Sequence, residues 1–181
     1  MKFTIFETEF GQSAILYWAK GDSAKAIHIL LPRSEKAIKD AIMSRFPHAL
    51  NASGDEVSKL RTCIQDFFTG KPDPIPLSFV DISICSAFQL SVLMEEHAIP
   101  RGKTSSYGRI AARLESRAAR AVGRALARNP FPIVVPCHRA VRSDRSLGGF
   151  QGGLEMKKRI LILEGVRFSS KDKVHPDDFL G

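Results

Sequence analysis

Residues 105–130 read SSYGRIAARLESRAARAVGRALARNP. How this stretch folds decides the second half of the chain. Thr104 and Ser105 are N-cap candidates for a helix over SSYGRIAARL, because a hydroxyl there can accept from the unpaired N–H groups of a first turn. Ser116 is the candidate cap of a second helix, RAARAVGRALA, which Asn129 and Pro130 stop. Two short helices across a tight turn make a helix-turn-helix pattern. The second helix is slim, built from Ala118, Ala119, Ala121, Val122, Gly123, Ala125 and Ala127. Its arginines, Arg117, Arg120, Arg124 and Arg128, recur every three or four positions and make one face basic. Such a helix can approach a nucleic-acid groove closely. It can equally be a packed core helix with a solvated arginine stripe.

Working outward, AFQLSVLMEEHAI (87–99) is an amphipathic helix ended by Pro100 and Gly102. Downstream, PIVV reads as a short strand or extended segment, SDRSLGGFQGG as a Gly-rich loop, and LEMKKRILILEG as a last helix that Gly165 can end. The first half has a different character. KFTIFET, SAILYWA and AIHILLP alternate as three strands, with Gly11 or Gly21 at the turns. Two helices follow, SEKAIKDAIMSRF and DEVSKLRTCIQDFFTG, opened by Ser34 and Asp55, the second ending at Gly70. The Pro-rich KPDPIPL cannot be helix and leads into an expected short strand, LSFVDI. These changes place domains at 1–84 and 85–170, with a loosely held polar tail at 171–181.

Charge follows the same division. Residues 1–90 carry 10 Lys+Arg and 10 Asp+Glu, whereas residues 91–181 carry 17 and 9. Between Arg101 and Arg145 there are 11 bases, ten of them arginine, and two acids. Arginine suits bidentate contact with phosphate, so a basic half beside a neutral one points to a polyanion. No stretch is apolar and long enough to span a bilayer, and MKFTIFETEF does not read as a signal peptide, so an intracellular, cytoplasmic protein is expected. Cys63, Cys85 and Cys137 form neither a metal-ligand spacing nor a disulfide framework. Cys63 and Cys85 read as core residues.

Cys137 differs because it sits in PCHRAV, followed at once by His138. A thiolate is the nucleophile, and something must take the thiol proton. In an extended strand the two side chains would face opposite ways, so direct contact needs a turn, which Pro136 allows, or a water relay. A histidine base needs an orienting acceptor, and Glu164 is the candidate: a carboxylate at a helix C-terminus opposes the dipole and so needs a partner.

Four stretches together resemble the O6-alkylguanine-DNA alkyltransferases: IPRGKTSSYGRIA, ARAVGRALARNPFPIVVPCHRAV, SLGGFQGGLEMKKRILILEG and the FQ of AFQLSVL, covering roughly residues 87–166. The first half resembles that family only in length and in its strand-then-helix plan. The resemblance implies a DNA-repair methyltransferase that moves the alkyl group of O6-alkylguanine irreversibly onto Cys137, once per molecule, with the base flipped out of the duplex. It implies that His138 acts on Cys137 through a water, that Glu164 holds His138, and that Asn129 braces the turn carrying the cysteine. Tyr107 would press the phosphate backbone and contact the flipped base, Arg120 would fill the gap in the stack, and Ala140, Phe150 and Gln151 would meet the guanine. Thr104, Ser105, Ser106, Arg117, Ala121, Gly123 and Arg124 would make the DNA interface, with the helix-turn-helix in the minor groove. Phe150 stands where the family often has tyrosine, and residues 1–60 hold no cysteine for the zinc some members bind.

The expected fold is therefore α+β in two domains: a small α/β domain with a three-stranded antiparallel sheet, then a mostly helical, winged-helix-like domain with the helix-turn-helix. The expected partner is double-stranded DNA containing O6-alkylguanine, bound by a monomer that needs no cofactor and no metal and has no membrane contact. Two rivals stand beside this reading. A cysteine hydrolase would leave the basic helix unexplained, and a DNA-binding module with an inert thiol would leave PCHR and Glu164 without a role.

Overall fold

A computed structural model describes residues 1–20, 23–71, 74–169 and 172–180. Its contacts divide into two units: Met1–Ile84 with Pro130–Val134, and Cys85–Asn129 with Val135–Gly181.

In the first unit, β1 (Lys2–Thr8), β2 (Gly11–Lys20) and β3 (Ser23–Arg33) form antiparallel pairs, with Lys2 opposite Tyr17 and Thr8 opposite Gly11. Gly21, the second turn glycine of the sequence reading, lies outside the described residues. Next comes α1 (Glu35–Arg45), whose first turn donates from Ala37 to the Ser34 hydroxyl. A fourth strand, β4 (Leu50–Asn51), pairs parallel with β1, so the sheet order is β3-β2-β1-β4 instead of three strands. Ser13 to Tyr17 of β2 are all buried, which requires cover on both faces of the sheet. Ala14 and Leu16 pack with Ile38 and Ile42 of α1. Tyr17, pointing the other way by strand alternation, donates to Glu56 just ahead of α2 (Ser58–Phe68).

The opening of α2 differs from the sequence reading. Asp55 does not cap it; residues Asp55–Val57 make a 3-10 turn after Gly54, which is left-handed. A Cβ on Gly54 would come within 2.6 Å of Thr4, so glycine is required there on two counts. LSFVDI is not a strand either. Leu77–Phe79 and Ile82–Ile84 are 3-10 turns, and only Val80 bridges to Ala26. Pro130–Val134 cluster with this unit, the Pro130 carbonyl accepting from the Ile29 N–H at 2.8 Å. PIVV is likewise a turn, with Ile133 at φ 76. Its β-branched run suggested extended backbone, but proline cannot donate to a ladder and a positive φ breaks the strand.

The second unit is mainly helical. Ser86 caps α3 (Ala87–His97). Thr104–Ser106 form β5, not the first turn of a helix, and Ser106 caps α4 (Tyr107–Arg113) by accepting from the Arg109 N–H at 3.1 Å. Ser116 accepts from Ala118 at 3.1 Å, ahead of α5 (Ala119–Ala127). Ile110 and Ala111 of α4, with Val122, Ala125 and Leu126 of α5, form the buried side of the helix-turn-helix, and Arg117, Arg120, Arg124 and Arg128 are exposed. Three short strands pair in parallel, in the order β6-β5-β7, where β6 is Ala140–Val141 and β7 is Phe179–Leu180. Phe168 and Val174 form an isolated antiparallel bridge. Between β6 and β7 runs α6 (Leu154–Leu163), closed by Gly165 at φ 91. Val141, Leu161, Val166 and Val174 make a core cluster here.

The polar end of the chain is not loose through residues 172–180. Asp178 is buried, accepts from the Arg167 guanidinium at 2.9 Å, and leads directly into β7. Polar composition concealed one paired carboxylate and a two-residue strand. Among the described residues no helix is long and apolar enough to cross a membrane, and no group of His, Cys, Asp and Glu could hold a metal ion.

Candidate active site

The cysteine sits on a turn built for it. After Pro136, residues Cys137–Arg139 form a 3-10 turn, and the Cys137 N–H donates back to the Val135 carbonyl at 2.8 Å. At three residues per turn, successive side chains point in three directions. That resolves the geometric difficulty of neighbouring Cys and His in a strand. Cys137 lines a pocket, while His138 and Arg139 turn to one carboxylate. Asn129 fixes the turn from outside: its amide donates to the Val135 carbonyl at 2.9 Å, and it hydrogen-bonds with the Cys137 thiol.

Glu164 is the C-cap residue of α6 and is buried. It lies 3.1 Å from His138 Nε2 and accepts from Arg139 at 2.9 Å through Nε and 2.7 Å through Nη2. The third Arg139 nitrogen donates to the Ile99 carbonyl. Burial pushes the Glu164 carboxyl up, but His138 and Arg139 outweigh it and bring the group down to about 2. Burial holds His138 below the usual imidazole range despite Glu164. Glu164 is thus the ionised partner and His138 the neutral one at pH 7. Its Nε2–H then faces Glu164, and Nδ1 is the nitrogen left to accept a proton. Burial also pushes the Cys137 thiol up to about 12, against the pull of the Asn129 hydrogen bond. A thiol so placed is held in its protonated form.

The pocket has a volume of about 480 Å³. Of the residues singled out from the sequence, Cys137, Tyr107, Arg120, Gly123, Phe150 and Gln151 line it. The Gln151 amide donates to the Asn129 carbonyl at 2.9 Å, and Phe150 meets His138 edge-on at 6.3 Å between ring centres. Gly148 leaves room for Tyr107: at φ 66, a Cβ there would lie 2.8 Å from the phenol oxygen. Ala121 and Arg124 line a smaller groove with Phe88, Gln89 and Arg128, and Arg117 is exposed ahead of α5.

Other expected residues are placed differently. Thr104, Ser105 and Ser106 are buried in β5, and their hydroxyls are engaged within the protein. The first two donate to the carbonyls of Asp178 and Leu180, and the third caps α4. Ala140 is fully buried and absent from the pocket wall, its carbonyl taken by Lys157. The sequence reading missed Arg139, which lies in the cysteine turn itself, and Lys157 and Glu96, whose charges act on it. A signal for two of them existed: Glu96 follows Val92 and Leu93, and Lys157 precedes Ile160 and Leu161, so each charge lies in phase with an apolar stripe.

Comparison with known proteins adds relatives to this geometry. Residues 87–166 match the family described as 6-O-methylguanine DNA methyltransferase, DNA binding domain. The methylated-DNA–protein-cysteine methyltransferase of Methanothermobacter thermautotrophicus is 46% identical over 110 residues, 61% of this chain and 62% of that protein. The chain thus spans about three-fifths of the length of that relative, while its match to the Methanosarcina mazei protein of the same name, 34% identical over 146 residues, covers 75% of this chain and 89% of that one. The crystal structure of Mycobacterium tuberculosis OGT in complex with DNA superposes with a TM-score of 0.73 at 27% identity, covering 91% of this chain and 92% of that one.

Proposed function

This chain belongs to the methylated-DNA–protein-cysteine methyltransferase family, and from that premise we propose that it repairs O6-alkylguanine in duplex DNA by moving the alkyl group onto its own Cys137. One observation carries the reading. Cys137 lines a pocket together with an exposed arginine, Arg120, on the slim helix of a helix-turn-helix, and the neighbouring His138 is held by an ionised, buried Glu164.

The chemistry follows from these positions. An O6 substituent is inside the duplex, so the base must leave the stack, at a cost of about a few kcal/mol. Arg120 fills the vacated place and the exposed Arg117, Arg124 and Arg128 neutralise phosphates, with α5 in the minor groove. Tyr107 and Phe150 wall the flipped base, and Gln151 meets its edge. His138, anchored by Glu164, takes the thiol proton through a water. The sulfur lone pair then attacks the alkyl carbon in line, the carbon–oxygen bond breaks with its electrons going to the guanine, and the proton returned to the base balances the exchange. The product thioether is not hydrolysed, so each molecule reacts once and needs no cofactor.

The test is intact mass after mixing with a duplex containing one O6-methylguanine. A stoichiometric gain of one CH₂ on the peptide holding Cys137 is expected, and Cys137→Ser is expected to lose transfer while still binding the damaged duplex. Transfer by Cys137→Ser, or no mass gain in the unaltered protein, overturns the assignment.

A further inference from the structure

Glu96 has no part in the reaction as described, yet it is among the most buried charged side chains of its unit. Neither carboxylate oxygen has a hydrogen-bond partner. The Ala140 N–H is turned toward the carboxylate and favours its ionised form, but burial outweighs it. The charged groups around it are Lys157 on α6, Arg139 in the cysteine turn and Glu164 after α6, and its field reaches Tyr107 and Cys137. An ionised carboxylate buried without hydrogen bonds is costly, so the group neutralises instead. Burial accordingly pushes Glu96 up to about 8.

Lys157 is its opposite. It is fully buried, but its ammonium donates to three carbonyls: Ala140 at 2.6 Å, Leu147, and Gly149 at 3.3 Å. Three acceptors satisfy the three donors of a protonated amine. Burial pulls Lys157 down to about 8, which leaves it charged at pH 7. Lys157 favours ionisation of Cys137, and an ionised Glu96 opposes it.

We propose that Glu96 is a positioning residue for the thiol chemistry: a buried, unpartnered carboxyl beside the cysteine turn whose neutral form leaves the Cys137 thiolate unopposed and whose ionised form opposes it directly. The proposal deepens the alkyl-transfer reading and rests on it for its biological use. The step concerned is heterolysis of S–H, with the electron pair staying on sulfur and the proton leaving toward His138. Rising pH drives that step, but it also ionises Glu96, so the gain in thiolate is damped as the solution turns alkaline.

The experiment follows carboxamidomethylation of Cys137 by iodoacetamide from pH 6 to pH 9 in the full chain, comparing it with Glu96→Gln and Glu96→Leu. Trypsin isolates residues 129–139, which contain Cys137 and neither Cys63 nor Cys85. Equal rates are expected at pH 6, and both variants are expected to react about five- to tenfold faster at pH 9, the ratio produced by a thiol shift of nearly one pH unit. A merely structural role would move both ends of the profile together. Parallel profiles, or slower variants at pH 9, overturn the proposal. Circular dichroism confirms folding, and if the leucine variant unfolds, the glutamine variant decides. Alkyl transfer from the O6-methylguanine duplex is measured alongside. A damped iodoacetamide profile without transfer upholds the role of Glu96 and overturns the repair reading; transfer with parallel profiles does the reverse.

Discussion

The two units bury different things. Among the described residues of Met1–Ile84, the buried polar side chains are Thr4, Thr8, Ser13 and His28. In the unit made of Cys85–Asn129 and Val135–Gly181 they include Glu96, Lys157, Glu164, Asp178, His138 and Asn129. The first unit is held by apolar area between a sheet and two helices. The second places charges where water cannot reach them, and each charge then needs a named partner. Perturbed carboxylates, amines and thiols gather where chemistry is arranged, and here they gather around one turn.

Breaking a partner should therefore hurt the second unit most. Glu164→Gln leaves Arg139 without its anion and is expected to cost about 3–5 kcal/mol in urea unfolding, the penalty of an uncompensated buried charge. The matched test in the first unit is Ile42→Ala, expected to cost about 2–5 kcal/mol through a cavity beside Leu16 and Ile38. A Glu164→Gln protein as stable as the parent would mean that the second unit is held by area as well.

The pH response distinguishes the units next. Burial lowers His28 to about 4, with Arg45 adding to the effect. Between that value and the unfolded value near 6.5 the unfolded chain binds more protons. The contribution is thus present above about pH 6.5 and lost as pH falls toward 4, amounting to about 2–3 kcal/mol. His138 is lowered too and acts in the same direction, while Glu164, lowered to about 2, loses its contribution only below about pH 4. His28→Leu is expected to remove the first unit's part of the acid loss, measured as the difference in unfolding midpoint between pH 7 and pH 5. An unchanged difference would show that His28 takes up its proton while folded.

The same contrast governs what could be read from sequence. KFTIFET, SAILYWA, AIHILLP and the Ser34-capped helix follow from alternation and capping, because their side chains face either oil or water. Glu164 and Asn129 could be singled out beside Cys137, and the structure brings them to the turn. Lys157 and Glu96 were not singled out, although each lies in phase with an apolar stripe. β4 is only two residues long, and the PIVV turn depends on the positive φ of Ile133. Neither leaves a periodic trace, since short pairings and a single dihedral are fixed by tertiary contacts.

Charge on the two surfaces offers a smaller test. Arg124 is exposed on α5, whereas Lys39 on α1 is held by Glu35 at 2.5 Å. Arg124→Ala is expected to weaken duplex binding and reduce the slope of log affinity against log salt by about 1. Lys39→Ala is expected to change neither. Equal effects would spread the DNA footprint over both units.

The smallest expected effect concerns a hydroxyl. The family resemblance put Ser106 on the DNA interface, but its oxygen accepts from the Arg109 N–H at 3.1 Å and the side chain is buried. Ser106→Ala should cost about 1 kcal/mol of stability, as loss of a helix cap does. DNA affinity at a temperature where the variant is fully folded should stay within about twofold of the parent, since a cap acts on the helix and not on the phosphate. The salt slope separates the two roles: a cap leaves it unchanged, whereas a phosphate contact weakens binding without destabilising α4. Lost affinity at unchanged stability would return Ser106 to the interface and would mean that β5 opens when DNA binds.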